Sequence, residues 1–118
     1  MKYLVSPLVI KKIQTFYENV SQKYKHTYDY SLMHKNTDDT IDSIYKIEDK
    51  LPRRVPTLDR WQGFHMANTK KWYFAYKIDG DTIYVEDACH AQNMHEGLDR
   101  AINLMERLEN LHKHPPVK

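Results

Sequence analysis

The order of patterned segments predicts an α+β fold: an antiparallel-rich four-stranded sheet with two N-terminal helices packed on one face, in the order β-α-α-β-β-β, followed by a C-terminal helix. Three observations carry this. Residues 72–94, WYFAYKIDGDTIYVEDACHAQNM, read as a β-hairpin about Asp79-Gly80, because aromatic and β-branched residues alternate on both sides of that turn signal. Upstream, two apolar stripes recur at spacings of three and four, the period of an amphipathic helix. Downstream of Asn93 the same helical period returns.

Each element has its own signals. Lys2, Tyr3, Leu4 and Val5 form a short β-type run that stops at Ser6-Pro7, where a serine N-cap and a proline with preset φ open a helix. The stripe of that helix is Val9, Ile10, Ile13, Phe16, Tyr17, Val20 and Tyr24, with Lys11, Lys12, Glu18 and Lys23 on the solvent side. A second stripe runs over 30–51 through Tyr30, Met33, Thr37, Ile41, Ile44, Ile47 and Leu51. Asn36 or Thr37 is an internal capping candidate there, and Pro52 is the stop. Residues 53–63 lack periodicity and contain Pro56 and Gly63, so they read as a loop carrying Arg53, Arg54 and Arg60. Residues 64–68 are a strand candidate with Phe64 and Met66 on one face and His65 and Ala67 on the other. A cationic turn at Asn68-Thr69-Lys70-Lys71 leads into the hairpin. Leu98, Ala101, Ile102, Met105, Leu108 and Leu111 mark the C-terminal helix.

With 118 residues and 41% apolar content the chain suits one domain, 1–112, with 113–118 as a flexible tail bearing Pro115 and Pro116. Eighteen basic against sixteen acidic residues give a net charge of +2, too balanced to mark a nucleic-acid binder by charge alone, so local clusters must carry that argument. The single cysteine, Cys89, rules out an intramolecular disulfide. With no secretory pattern and no apolar run near the roughly 20 residues that span a bilayer, a cytoplasmic protein without membrane partner is expected.

Strand parity sorts the hairpin into two faces. With Asp79-Gly80 as the loop, Ile78 faces Asp81, Tyr76 faces Ile83, Phe74 faces Val85 and Trp72 faces Asp87, making one face apolar. A loop at Gly80-Asp81 changes partners but keeps this parity. The other face then carries Tyr73, Lys77, Tyr84, Glu86 and His90, and is expected to be open and polar.

Leu51-Pro52, the link over 53–63, the run Trp72-Tyr73-Phe74-Ala75-Tyr76-Lys77-Ile78 and the final strand ending in His90 together resemble the RelE/ParE superfamily of bacterial type II toxins. In that family a helix ending near a proline is followed by a turn-rich link, a strand, a strand of pattern Tyr-Arg-x-x-Tyr-x-Ile and a last strand ending near a histidine. The resemblance spans residues 1–94 as a pattern and is textually specific in the hairpin. The segment Ala88-Cys89-His90-Ala91-Gln92-Asn93-Met94 looks most like the histidine-dependent, YafQ-like branch, with Met94 in the place of an apolar residue four after the histidine. Tyr73 stands where many family nucleases have an arginine, so no arginine role is carried over to it. The resemblance implies a toxin that is a ribosome-dependent, metal-independent messenger RNA endonuclease using no cofactor, held inactive by a cognate antitoxin. The alternatives are a ParE-like, non-enzymatic inhibitor of DNA gyrase and an inactive antitoxin-binding relative.

Metal-free RNA cleavage needs a base for the 2′-hydroxyl proton, cations at the phosphate and an acid for the leaving oxygen. His90 is the acid/base candidate, with Glu86 to tune it and His65 as a second acid or base. Arg60, Lys70, Lys71 and Lys77 are the phosphate group. Tyr73 and Tyr84 are stacking platforms for bases, and Gln92 joins the RNA-binding set. A metal site built from His90, His95, His65, Asp87 and Cys89 is set aside: Asp87 and Cys89 project away from His90 by alternation, and no zinc-type spacing is present. The C-terminal helix is a candidate homodimer surface.

Overall fold

The structure, a computed structural model, describes residues 1–94. Strand β1 (Lys2–Val5) gives way to helix α1 (Pro7–Lys23) as the sequence signals require: the Ser6 hydroxyl accepts the Leu8 N–H at 3.2 Å, and Pro7 occupies the first turn. Helix α2 (Tyr30–Ile44) is capped instead by Asp29, whose carboxylate accepts the Leu32 N–H at 2.8 Å. It runs unbroken through Asn36-Thr37, since Thr37 and Thr40 turn their hydroxyls back to the carbonyls of Met33 and Asn36 rather than capping a new helix. The helix also stops short of the Pro52 end expected for it. From Tyr45 to Ile47 the backbone bonds tighten from four residues back to three, which still delivers Ile47 to the core.

Four further strands follow: β2 (Arg53–Arg54), β3 (His65–Asn68), β4 (Trp72–Asp79) and β5 (Thr82–His90). The sheet is five-stranded and mixed, in the order β1-β5-β4-β3-β2, with β1 parallel to β5 and every other pair antiparallel. This corrects the four-stranded expectation. Two residues of the presumed loop pair with Ala67 and Met66, so the sheet gains an edge strand at Arg53 and Arg54. The C-terminal helix and tail expected over 95–118 lie outside the described residues.

The hairpin departs from expectation at both its turn and its middle. Gly80 has φ 61°, and no described non-glycine residue has positive φ, so the loop is Gly80-Asp81 with Asp79 facing Thr82, the pattern of a turn with glycine at its first central position. An Asp79-Gly80 loop of the primed type I kind would have required positive φ at Asp79 as well. Lys77 then faces Tyr84 and Tyr76 faces Val85, but Ala75 faces Asp87. Glu86 is the extra residue of a β-bulge. Beyond it the parity of β5 inverts, so Ala88 and His90 join Phe74 and Trp72 on the helix-covered face.

That face holds the main core, where Val9, Ile13 and Tyr17 of α1 and Ile44 of α2 meet Trp72, Phe74, Tyr76, Ile83 and Val85. A buried polar chain ties its layers together. Trp72 Nε1 donates to the Tyr17 hydroxyl at 2.9 Å, which lies 3.3 Å from the Thr40 hydroxyl, and Thr40 donates to the Asn36 carbonyl. The opposite sheet face, expected to be open, is covered too. Leu58 and Trp61 of the link are one 3₁₀ turn apart, hence on one side, and both are buried against Met66, Ala75 and Cys89 in a second core.

Candidate functional site

His90 ends β5 on the helix side of the sheet. Its ring stacks on Phe16 of α1 with centroids 4.1 Å apart and planes at 12°, and meets Trp72 edge-on at 5.3 Å. Nδ1 accepts the Gln92 N–H at 3.2 Å and so caps the single turn Ala91–Asn93. A nitrogen that accepts a backbone N–H carries no proton, so the neutral ring bears its hydrogen on Nε2. Burial, and then the nearby Lys71 ammonium, hold the imidazole below its ordinary pKa, favouring that neutral form. Lys71 is brought there by its backbone: its carbonyl accepts the Ala91 N–H at 2.6 Å.

The ring borders a cleft of about 470 Å³ between α1, the end of β5 and the Asp59–Trp61 turn. Leu8, Lys11, Lys12, Thr15 and Asn19 form its α1 wall, Arg60 stands on the turn side, and Asn93 lies at the end. Asp87 links the two walls. One carboxylate oxygen accepts from Lys12 Nζ at 2.5 Å and from the Ala88 N–H; the other accepts Trp61 Nε1 at 2.8 Å and lies 3.6 Å from Arg60 Nε. The carboxylate is reachable from both sides because β1 pairs with β5 only as far as Val85. Burial alone would raise its pKa, but hydrogen bonds from Lys12, Trp61 and the Ala88 N–H outweigh it and hold Asp87 below the usual carboxylate range.

The other expected site residues are dispersed. Glu86 is exposed at the bulge, about 13 Å from His90 by strand rise, and borders a shallow hollow with Leu4 and Tyr84. His65 pairs with Tyr76, its ring 5.4 Å from the tyrosine ring, four residues along β4 from the Trp72–His90 pair. Tyr73 pairs with Cys89 and packs on the second core beside a groove that includes Arg54 and Met94. Lys77 lies on that same side, its ammonium 4.5 Å from the centre of the Phe64 ring. The single polar face of Tyr73, Lys77, Tyr84, Glu86 and His90 is therefore corrected: the bulge puts His90 on the opposite side of the sheet from Tyr73 and Lys77. Arg60 lines the His90 cleft and Lys71 adjoins it, while Lys70 lines a neighbouring hollow with Asp39 and Ser43. Gln92 serves through its backbone N–H.

Lys11, Lys12, Phe16 and Asp87 were missed as site residues. One signal was present: Leu8, Lys12, Thr15 and Asn19 recur at three and four along one flank of α1, beside the apolar stripe. Among the described residues no three His, Cys, Asp or Glu side chains are grouped to hold a metal, and no helix is long and apolar enough to cross a membrane. Comparison with protein families, with curated proteins and with solved structures finds no match.

Proposed function

We propose that this chain is a toxin of the RelE/ParE type that cleaves messenger RNA on the ribosome, with the His90 cleft as its reactive site and a cognate antitoxin as its inhibitor. The observation that carries this reading is a neutral imidazole, its Nδ1 fixed by the Gln92 N–H, at the edge of a cleft bordered by Lys11, Lys12 and Arg60. Two helices followed by a turn-rich link and an antiparallel run of strands, the last ending in His90, agree with the family pattern and support it.

The reaction would be attack of a ribose 2′-hydroxyl on the adjacent phosphorus. A new P–O bond forms, the P–O5′ bond breaks, and the products carry a 2′,3′-cyclic phosphate and a 5′-hydroxyl. The lysine and arginine groups offset charge on the phosphoryl oxygens. In its capped tautomer His90 presents Nε2–H to a phosphate or leaving oxygen; to take the 2′-hydroxyl proton, the ring must release the Gln92 N–H or shift its own proton.

A second reading, a non-enzymatic inhibitor of DNA gyrase, is favoured by one observation. The acid–base partners expected for His90 do not line its cleft: Glu86 and His65 stand elsewhere, and Asp87 is engaged by Lys12 and Trp61. Induced expression in a bacterial host separates the two. The expected result is growth arrest by the wild type, with new 5′ ends inside translated messages by primer extension, and neither with His90→Ala. Growth arrest with intact messages and accumulating gyrase–DNA adducts would establish the second reading instead.

A further inference from the structure

Lys12 and Arg60 approach the mouth of the His90 cleft from two different elements, α1 and the Asp59–Trp61 turn, and one carboxylate holds both. That carboxylate is well anchored. Its side chain is only 17% exposed, and two neutral donors, the Trp61 indole and the Ala88 N–H, fix it independently of the cations. The Arg60 guanidinium also lies 5.8 Å from the centre of the Trp61 ring. Neither cation is used up by Asp87. An ammonium has three donors, and a guanidinium held through Nε keeps its terminal N–H fork. Without a shared anion, two like charges facing one cleft would move apart into solvent.

We propose that Asp87 is a positioning residue, holding Lys12 and Arg60 as a two-armed clamp for one phosphate of a single-stranded RNA at the mouth of the His90 cleft. This rests on the RNA reading of that cleft. It also makes an unusual demand, because simple charge counting says that deleting a carboxylate near a phosphate site tightens binding. Positioning says the opposite: with Asp87 neutral, both cations leave the cleft and RNA binds more weakly.

The test is fluorescence anisotropy with the full chain and a short single-stranded RNA, 2′-O-methylated so that it binds without being cut, across a series of salt concentrations. Asp87→Asn keeps the shape and the acceptor for Trp61 but removes the charge. The expected result is about tenfold weaker binding, a salt-dependence slope smaller by about 0.7, as for one lost phosphate contact on a single strand, and partial recovery in Asp87→Glu. Lys12→Met and Arg60→Gln, both at partly solvated positions, should each weaken binding and reduce the slope by at most about 0.7. Those two variants decide the matter even if Asp87→Asn does not fold, since unchanged binding in both overturns the clamp. Equal or tighter binding by folded Asp87→Asn overturns the positioning role while leaving the RNA reading intact. No binding by the wild-type chain overturns the RNA reading and the clamp with it.

Discussion

At His90, burial and the Lys71 charge favour the neutral imidazole, and protonation at Nδ1 would also turn the acceptor of the Gln92 N–H into a donor. The folded state therefore binds this proton less readily than the unfolded chain does. Its contribution to stability is fully present above the ordinary histidine value of 6.5 and declines as pH falls from there through the depressed folded value. Thermal unfolding of the wild type beside His90→Gln from neutral to mildly acidic pH checks this. The wild type should lose more stability on acidification, the difference between the two isolating His90 from the other histidines; parallel curves would contradict it. That His90 ends an aromatic strand was legible. Its surroundings were not, because nothing in its own neighbourhood announces that Phe16, seventy-odd positions earlier, supplies the stacking ring. Alternation points Asp87 away from His90, yet its carboxylate still reaches Lys12 because β5 has no strand on its β1 side beyond Val85.

At the level of elements, the β4–β5 hairpin was legible and its register was not. Alternation identifies strands, whereas a bulge is a property of pairing, and Glu86 has no composition cue that marks it as the unpaired residue. One extra residue moved His90 from one sheet face to the other. The turn was misplaced by one position for a related reason: Asp79-Gly80 and Gly80-Asp81 are both good turn dipeptides, and only the backbone angle at Gly80 decides between them. A methyl group at Gly80 meets nothing within 4 Å, so the cost of Gly80→Ala is purely that of left-handed backbone. That cost is expected to be about 1 kcal/mol, read as a lower denaturation midpoint with unchanged slope; an unchanged midpoint would contradict a positive φ at this position. The segment 53–63 was the hardest to read. Leu58 and Trp61 make only one turn of a 3₁₀ helix, too short for any periodicity to show, yet they close the sheet face that looked open.

Across the molecule, the succession of elements was legible while their neighbours in space were less so. Two helices between the first strand and the rest leave the sheet position of β1 undetermined by local pattern. The structure puts β1 beside β5 and parallel to it, while the two helices carry the chain from β1 to β2 at the opposite edge of the sheet. The consequence for function is geometric. Because β1 ends opposite Val85 and the chain turns directly into α1, the flank of that helix runs past the uncovered half of β5 and meets the Arg60 turn there. The His90 cleft exists at that junction and at no single element. It gathers an aromatic wall, a neutral imidazole and three cations from parts of the chain that are far apart in sequence, and the proposed RNA phosphate site rests on that gathering. The most direct measurement is cleavage by the purified chain of a message on translating ribosomes, with the new ends analysed chemically. The expected result is fragments bearing 2′,3′-cyclic phosphate from the wild type and none from folded His90→Ala. Intact message with the folded wild-type chain, or equal cutting by His90→Ala, would contradict a reactive site at His90.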